Sequence, residues 1–236
     1  MKQIRIAIDG PAGVGKTTTA KSLAEHFGLL YIDTGAMYRA LAVLAAAKGI
    51  SPDDADASAA LARRITVRLE HDASGALKVI GDGKDLTVAI RTPEASDGAS
   101  RISVHPEVRT ELVGWQRALA AKNGVVMEGR DIGTVVLPEA EAKIFLTASA
   151  QERARRRQRE LAGRGVRVAL EQVMRDIEER DARDRNRETS PLRPAPDAVV
   201  VDCTAFELNE QMAAVSRVVE ALVAPPRMAR RTRSSP

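Results

Sequence analysis

The stretch Gly10-Pro11-Ala12-Gly13-Val14-Gly15-Lys16-Thr17-Thr18 decides the fold. It fits G-x-x-x-x-G-K-[ST], the pattern of a phosphate-binding loop between a strand and a helix. An apolar run precedes it and an amphipathic pattern follows, as that geometry requires. The glycines let successive backbone N–H groups turn toward a β-phosphate without Cβ clashes. The helix start adds partial positive charge. Lys16 is a flexible point charge for the β- and γ-phosphates, and the Thr17 hydroxyl suits Mg²⁺. The loop alone leaves ATPases, GTPases and small-molecule kinases open. The absence of Asn-Lys-x-Asp, a guanine reader, leans the reading toward ATP.

Outward from the loop, apolar runs at residues 4–8, 29–33, 125–128, 143–146 and 198–202 read as five buried parallel strands. Helical stripes lie between and after them: Ala20, Leu23, Ala24 and Phe27; Val108, Leu112, Trp115 and Leu119; Leu170, Val173, Met174 and Ile177; Leu208, Met212, Val215 and Val219. Strands alternating with helices predict a doubly wound α/β sheet, with ligands beyond the carboxyl ends of the strands. Residues 65–86 break the alternation. ITVRLE and LKVI, with turns at residues 73–75 and 81–83, predict a small antiparallel insert. The Pro- and Arg-rich residues 225–236 read as a disordered tail.

The bulk properties exclude other classes. The chain has 236 residues, 44% hydrophobic and 29% charged, and one large domain accommodates them. Its formal charge of +4 is matched by Arg227, Arg230, Arg231 and Arg233 in the tail, so the body is neutral. A nucleic-acid binder carries a basic stripe on its folded body, and none is expected here. Cys203 is the one cysteine and sits in an apolar run, and three scattered histidines offer no metal-ligand spacing. No run reaches the about 18 apolar residues of a membrane span, and MKQIRIAIDG is not a signal peptide. The expectation is a cytoplasmic, monomeric protein.

Charges stand where core faces should continue. The stripe ending at Ile177 runs on to Arg180, Asp184 and Arg187 on the same helical face. Either that end points into a polar cleft, or the helix has left the core and its end is a solvated charge run. Asp33-Thr34 and Arg130-Asp131 follow predicted strands, at the ligand-bearing edge or as plain turns. Arg153, Arg156 and Arg157 share a face of an Arg-rich segment. Beside a phosphate loop they suit the charge that spreads over a transferring phosphoryl group, closing as a lid.

GPAGVGKTT, YIDTGAMYRA, IRTPEAS, EGRDIGTVV and ERDARDRNR, in this order and spacing, resemble the bacterial cytidylate kinase family over roughly residues 3–222. The resemblance implies a P-loop kinase with a five-stranded parallel sheet, a monophosphate-binding insert about 39–90 and a helical lid about 150–166 within a single domain 1–224. It implies ATP, Mg²⁺, and CMP or dCMP as acceptor. Residues 10–18 match the positions that hold ATP. Thr34, Arg39, Ser100, Arg109, Arg130, Asp131, Arg180, Asp184 and Arg187 match the CMP-contacting positions, which favours the cleft for the last three. Thr34 stands where Ser is common, a change that keeps the hydroxyl. Lys16 with Arg153, Arg156 and Arg157 would be catalytic. Asp33 would meet the metal through water. Another P-loop small-molecule kinase with a different acceptor is the alternative reading.

Overall fold

The computed structural model describes residues 4–71 and 77–224. The turn expected at residues 73–75 and the tail from residue 225 lie outside them. Five strands form the parallel sheet: β1 (Arg5–Asp9), β2 (Leu30–Asp33), β6 (Val125–Gly129), β7 (Ala142–Thr147) and β8 (Val199–Asp202), in the order β2-β6-β1-β7-β8. This is the predicted sheet. β1 sits at its centre, so both of its neighbours are parallel strands and its apolar residues are buried on both faces. Ile6 and Ile8 enter the larger core with Leu23, Val126, Ile144 and Val215. Ala7, between them, points the other way into a second core with Ile32, Val113 and Met127.

Helices cover both faces. α1 (Lys16–Phe27) follows β1 and packs beside the last helix, α8 (Leu208–Val223), whose first turn carries a Glu207/Glu210 capping box. α2 (Thr34–Ala47) starts at Asp33, whose carboxylate accepts from Ala36 N at 2.9 Å. After α3 (Ala55–Ala62) comes the antiparallel insert: β3 (Val67–His71), β4 (Leu77–Gly81) and β5 (Lys84–Asp85). Val67 pairs with Gly81 and Ile80 with Asp85. Asp82 and Gly83, both at positive φ, make the two-residue turn between β4 and β5. α4 (Pro93–Ile102) and α5 (Pro106–Lys122) each begin on a proline, where the missing N–H costs nothing, and lead back to the sheet.

α6 (Ala150–Ala162) and α7 (Leu170–Asn186) form a helical hairpin with its own small core of Ala154, Leu161, Val173 and Ile177. The predicted α7 stripe is this core. The α8 stripe differs from its sequence reading. Its innermost positions are Gln211, Val215 and Val219, all fully buried, while Leu208 is exposed. A glutamine fills the stripe because its amide finds polar partners beneath, described below.

Candidate active site

The carboxyl ends of the parallel strands, the insert and the hairpin enclose one cavity of about 1500 Å³. Its floor is the phosphate loop between β1 and α1. At Gly10, φ is 147° and a Cβ would lie 2.3 Å from Leu146 O, so β7 passes too close for any side chain. Gly15 caps α1 in the left-handed conformation, and having no side chain it bonds none of the first amides. Those amides are therefore free for an anion. The Lys16 side chain arches back, its Nζ donating to Gly10 O at 2.9 Å and Pro11 O at 2.7 Å. Burial, then the charge of Arg130, pushes the Lys16 pKa down to about 7. A bound polyanion would reverse that balance.

Beside the loop, two carboxylates stand at adjacent strand ends. Glu128, next to last in β6, is buried and accepts from Tyr31 Oη at 2.5 Å. Burial and the neighbouring Asp33 raise its pKa, while Lys16, Tyr31 and the Thr17 hydroxyl oppose the rise. Asp33 accepts from Arg39 at 2.8 Å. Among the described residues no group of three or more His, Cys, Asp or Glu side chains could cage a metal. The Thr17 hydroxyl and these two carboxylates supply the hard oxygen donors that fit Mg²⁺, which keeps its waters and draws further oxygens from phosphates.

The other half of the cavity is built from α2, α4, α5, the β6 end and α7. Five buried or half-buried charges alternate there in a chain. Arg109 Nη2 donates to Asp131 Oδ2 at 2.5 Å; Asp131 faces Arg187 at 3.6 Å; Arg187 faces Asp184 at 3.8 Å; and Arg130 Nε donates to Asp184 Oδ2 at 2.7 Å. Three arginines against two aspartates leave the chain positive. Arg180 adds more, and burial followed by Arg130 pushes its pKa down to about 10. Asp184 is buried too, yet Arg130, Arg180 and Arg187 hold its pKa below the usual carboxylate range. Several buried polar atoms here have no hydrogen-bond partner among the described residues: Tyr38 Oη, Ser100 Oγ, Arg109 Nε, Arg180 Nε and Arg187 Nη2. The Arg109 guanidinium also lies over the Tyr38 ring at 5.7 Å.

Of the residues singled out from sequence, 12–18 of the loop, Asp33, Thr34, Arg39, Ser100, Arg109, Arg130, Asp131, Arg156, Arg157, Arg180, Asp184 and Arg187 line this one cavity. The face Arg180–Asp184–Arg187 therefore turns to the cleft, and the solvated reading of α7 does not hold. Thr34 Oγ1 donates to Glu128 O at 2.7 Å, tying α2 to β6.

The three arginines expected to form a lid do not share one task. Arg153 is not in the cavity lining. It is 4% exposed and donates to Ala148 O and Ala12 O, each at 3.0 Å, and to Asp181 Oδ2 at 2.6 Å. Asp181 in turn accepts from Ala12 N at 3.2 Å. Arg153 is thus a clamp on the phosphate loop rather than a charge facing a ligand. Arg156 touches the cavity, but its guanidinium is held by Glu152, Gln211, Cys203 O and Phe206 O. Gln211 completes the brace by donating to Val14 O and Thr19 Oγ1, each at 3.0 Å. Among the described residues, Arg157 is bound only to Glu160, one turn on.

Sequence reasoning missed Asp9, Glu128, Asp181 and Gln211. Asp9 and Glu128 were legible only as the last polar residues of apolar strands, the edge where sheet proteins place ligands. Asp181 and Gln211 gave no local signal, because their partners lie far along the chain.

The model of the cytidylate kinase family matches residues 6–221. A cytidylate kinase of Pelotomaculum thermopropionicum is 52% identical over 219 residues, covering 93% of this chain and 94% of that protein. One from Desulfitobacterium hafniense is 51% identical over 209 residues, 89% of each. One from Carboxydothermus hydrogenoformans is 47% identical over 216 residues, 92% of this chain and 97% of that protein. With phosphate loop, insert, charged chain and hairpin all inside the matched span, the chain belongs to the cytidylate kinase family.

Proposed function

We propose that the chain transfers the γ-phosphoryl group of ATP to the phosphate of CMP or dCMP, giving ADP and CDP or dCDP. The observation that carries this reading is the buried chain Arg109–Asp131–Arg187–Asp184–Arg130. It is positive overall, studded with unpartnered donors, and shares one cavity with the phosphate loop. Unsatisfied buried groups are costly unless a ligand completes them. A cytidine nucleotide would: its phosphate takes Arg39 and Arg130, its ribose hydroxyls take Arg180 and Asp184, and its base takes Ser100, Arg109 and Asp131. Cytosine offers an N4 amino donor beside N3 and O2 acceptors. The Asp131 carboxylate accepts from N4, while Arg109 and Ser100 donate to the acceptors. Uracil puts an oxygen where N4 would be, leaving Asp131 opposite another acceptor.

In the reaction, an oxygen of the CMP phosphate bonds to the γ-phosphorus as the bond to the β,γ-bridging oxygen breaks. The electron pair leaves on ADP. The loop amides and Lys16 hold the departing ADP, and Arg39, Arg130 and Arg180 offset repulsion between the two phosphates. The Thr17 hydroxyl, with Asp33 and Glu128 through water, would hold Mg²⁺, which supplies further charge neutralisation when bound. The half-buried Arg157 on the hairpin is the lid arginine best placed to reach the transferring group. All these groups come from one chain, so the proposed reaction needs no residue from a second copy. No helix among the described residues is long and apolar enough to cross a membrane, in keeping with a cytoplasmic enzyme. An ADP-release assay offering CMP, dCMP, UMP, AMP, GMP and shikimate in turn tests the reading. CMP or dCMP should lead; comparable or faster turnover with another acceptor would replace it.

A further inference from the structure

Asp9 is the last residue of the central strand and the residue before the phosphate loop. Its neighbours across the sheet are Gly129 on β6 and Phe145 on β7. It is 4% exposed and does not line the cavity. Both carboxylate oxygens are spent on one target, accepting from Ile132 N and Gly133 N at 2.8 Å each. These two amides open the π-helical turn Ile132–Val136, which follows Asp131 directly. The turn closes back on Asp131, whose carbonyl accepts from Val135 N at 2.8 Å and Val136 N at 3.2 Å. On its apolar side Ile132 and Val136 are anchored in the second core. On its polar side the anchor is Asp9. The Asp131 backbone is thereby fixed, and with it the carboxylate that faces Arg109 and Arg187.

A buried carboxylate is a costly anchor, since desolvation disfavours its charge. Burial, opposed by the two amide bonds, pushes the Asp9 pKa up to about 7. The charged groups around it are Asp131, which raises that value further, and Lys16, which lowers it. The Lys143 stem passes the same turn, with its ammonium bound to Asp197.

We infer that Asp9 is a positioning residue for base recognition: it tethers the Ile132–Val136 turn to the root of the phosphate loop, so that Asp131 stands where it reads cytosine. The tether rests on the base-reading role proposed above for Asp131. It also means that the grip on the phosphate donor and the reader of the acceptor base hang from adjacent residues, Gly10 and Asp9, of one central strand.

Asp9→Asn is the informative variant. An amide offers one acceptor oxygen, so one of the two N–H groups loses its partner. Losing one charge-assisted bond should raise KM for CMP about tenfold and lower the CMP/UMP ratio of kcat/KM by a similar factor. KM for ATP should stay within about twofold, because the loop amides are untouched. A role in stability alone would shift both KM values together and leave the ratio unchanged, and that result overturns the inference. Asp131→Ala runs in parallel. An unchanged ratio there removes the base reading itself, whereas an unchanged ratio in Asp9→Asn alone removes the tether. The wild-type enzyme offers a second check. Protonation of Asp9 gives up one acceptor oxygen, so the CMP/UMP ratio should fall as pH drops from 8.5 through 7 toward 6. The two acceptor phosphates titrate alike and cancel in the ratio. The same fall persisting in Asp9→Asn, which has no carboxyl to protonate, contradicts the tether.

Discussion

Replacing Arg153 with methionine separates a clamp from a catalytic arginine. The substitution keeps the apolar stem and deletes a guanidinium that is almost fully buried. Three bonds go: those to Ala148 O, Ala12 O and Asp181. Asp181, 1% exposed, is left as a buried charge whose remaining contacts are Ala12 N and the exposed Arg185 at 3.9 Å. Breaking a buried ion pair from one side costs about 3–5 kcal/mol. Arg185 can swing toward Asp181, so the lower end applies, about 3 kcal/mol. In a chain of this size that lowers Tm by roughly 6–12 °C. The double variant Arg153→Met/Asp181→Leu should be no less stable than the single one, because the stranded charge is gone. Kinetically, the loop carrying Ala12 loosens, so KM for ATP should rise while kcat at saturation falls less than about tenfold. The assays are thermal unfolding with and without nucleotide, and steady-state ADP release. An arginine that stabilises the transferring phosphoryl is worth about 10³-fold or more in kcat. A loss of that size at unchanged Tm would refute the clamp and restore Arg153 to the catalytic set.

Other outcomes follow from the same geometry. Lys16→Ala should reduce turnover by at least about a thousandfold, as befits the one lysine of the loop, and near-normal rates in ADP release would dismiss its role. Arg157→Ala should lower kcat with little change in Tm, whereas Arg156→Ala, which breaks the brace to Gln211, Cys203 O and Phe206 O, should lower Tm; calorimetry beside kinetics distinguishes them. Gly10→Ala drives a methyl to within 2.3 Å of Leu146 O and should lower stability by more than about 2 kcal/mol in urea unfolding, since backbone on both sides must move.

Much of this was legible in the sequence because the signals were local. The phosphate loop, the apolar strands and the hairpin turn at Asp82-Gly83 each depend on neighbours within a few residues. The charged face of α7 was legible as an anomaly, three charges continuing an apolar stripe, but periodicity alone could not say whether it met a cleft or water. Family resemblance favoured the cleft, and the cavity lining agrees. What stayed hidden was long-range polar pairing. An Arg-rich helix looks solvated from its composition, yet Arg153 is buried because Asp181, on another helix, and the carbonyls of Ala12 and Ala148 await it. Gln211 sits in an apolar stripe because it braces Val14 and Arg156. Asp9 carries no local signal of its two acceptor oxygens holding the turn behind Asp131, more than a hundred residues along the chain.

The charged chain around Asp131 is proposed to be a cytidine monophosphate site working with the phosphate loop. That role is tested most directly by kcat/KM for CMP and for UMP, measured by ADP release in the wild type and in Asp131→Ala. Wild type should prefer CMP by at least about a hundredfold, and the variant should lose most of that preference through its CMP term. Equal use of both acceptors by the wild type, or a preference that survives in Asp131→Ala, would show that this cavity does not read cytosine through Asp131.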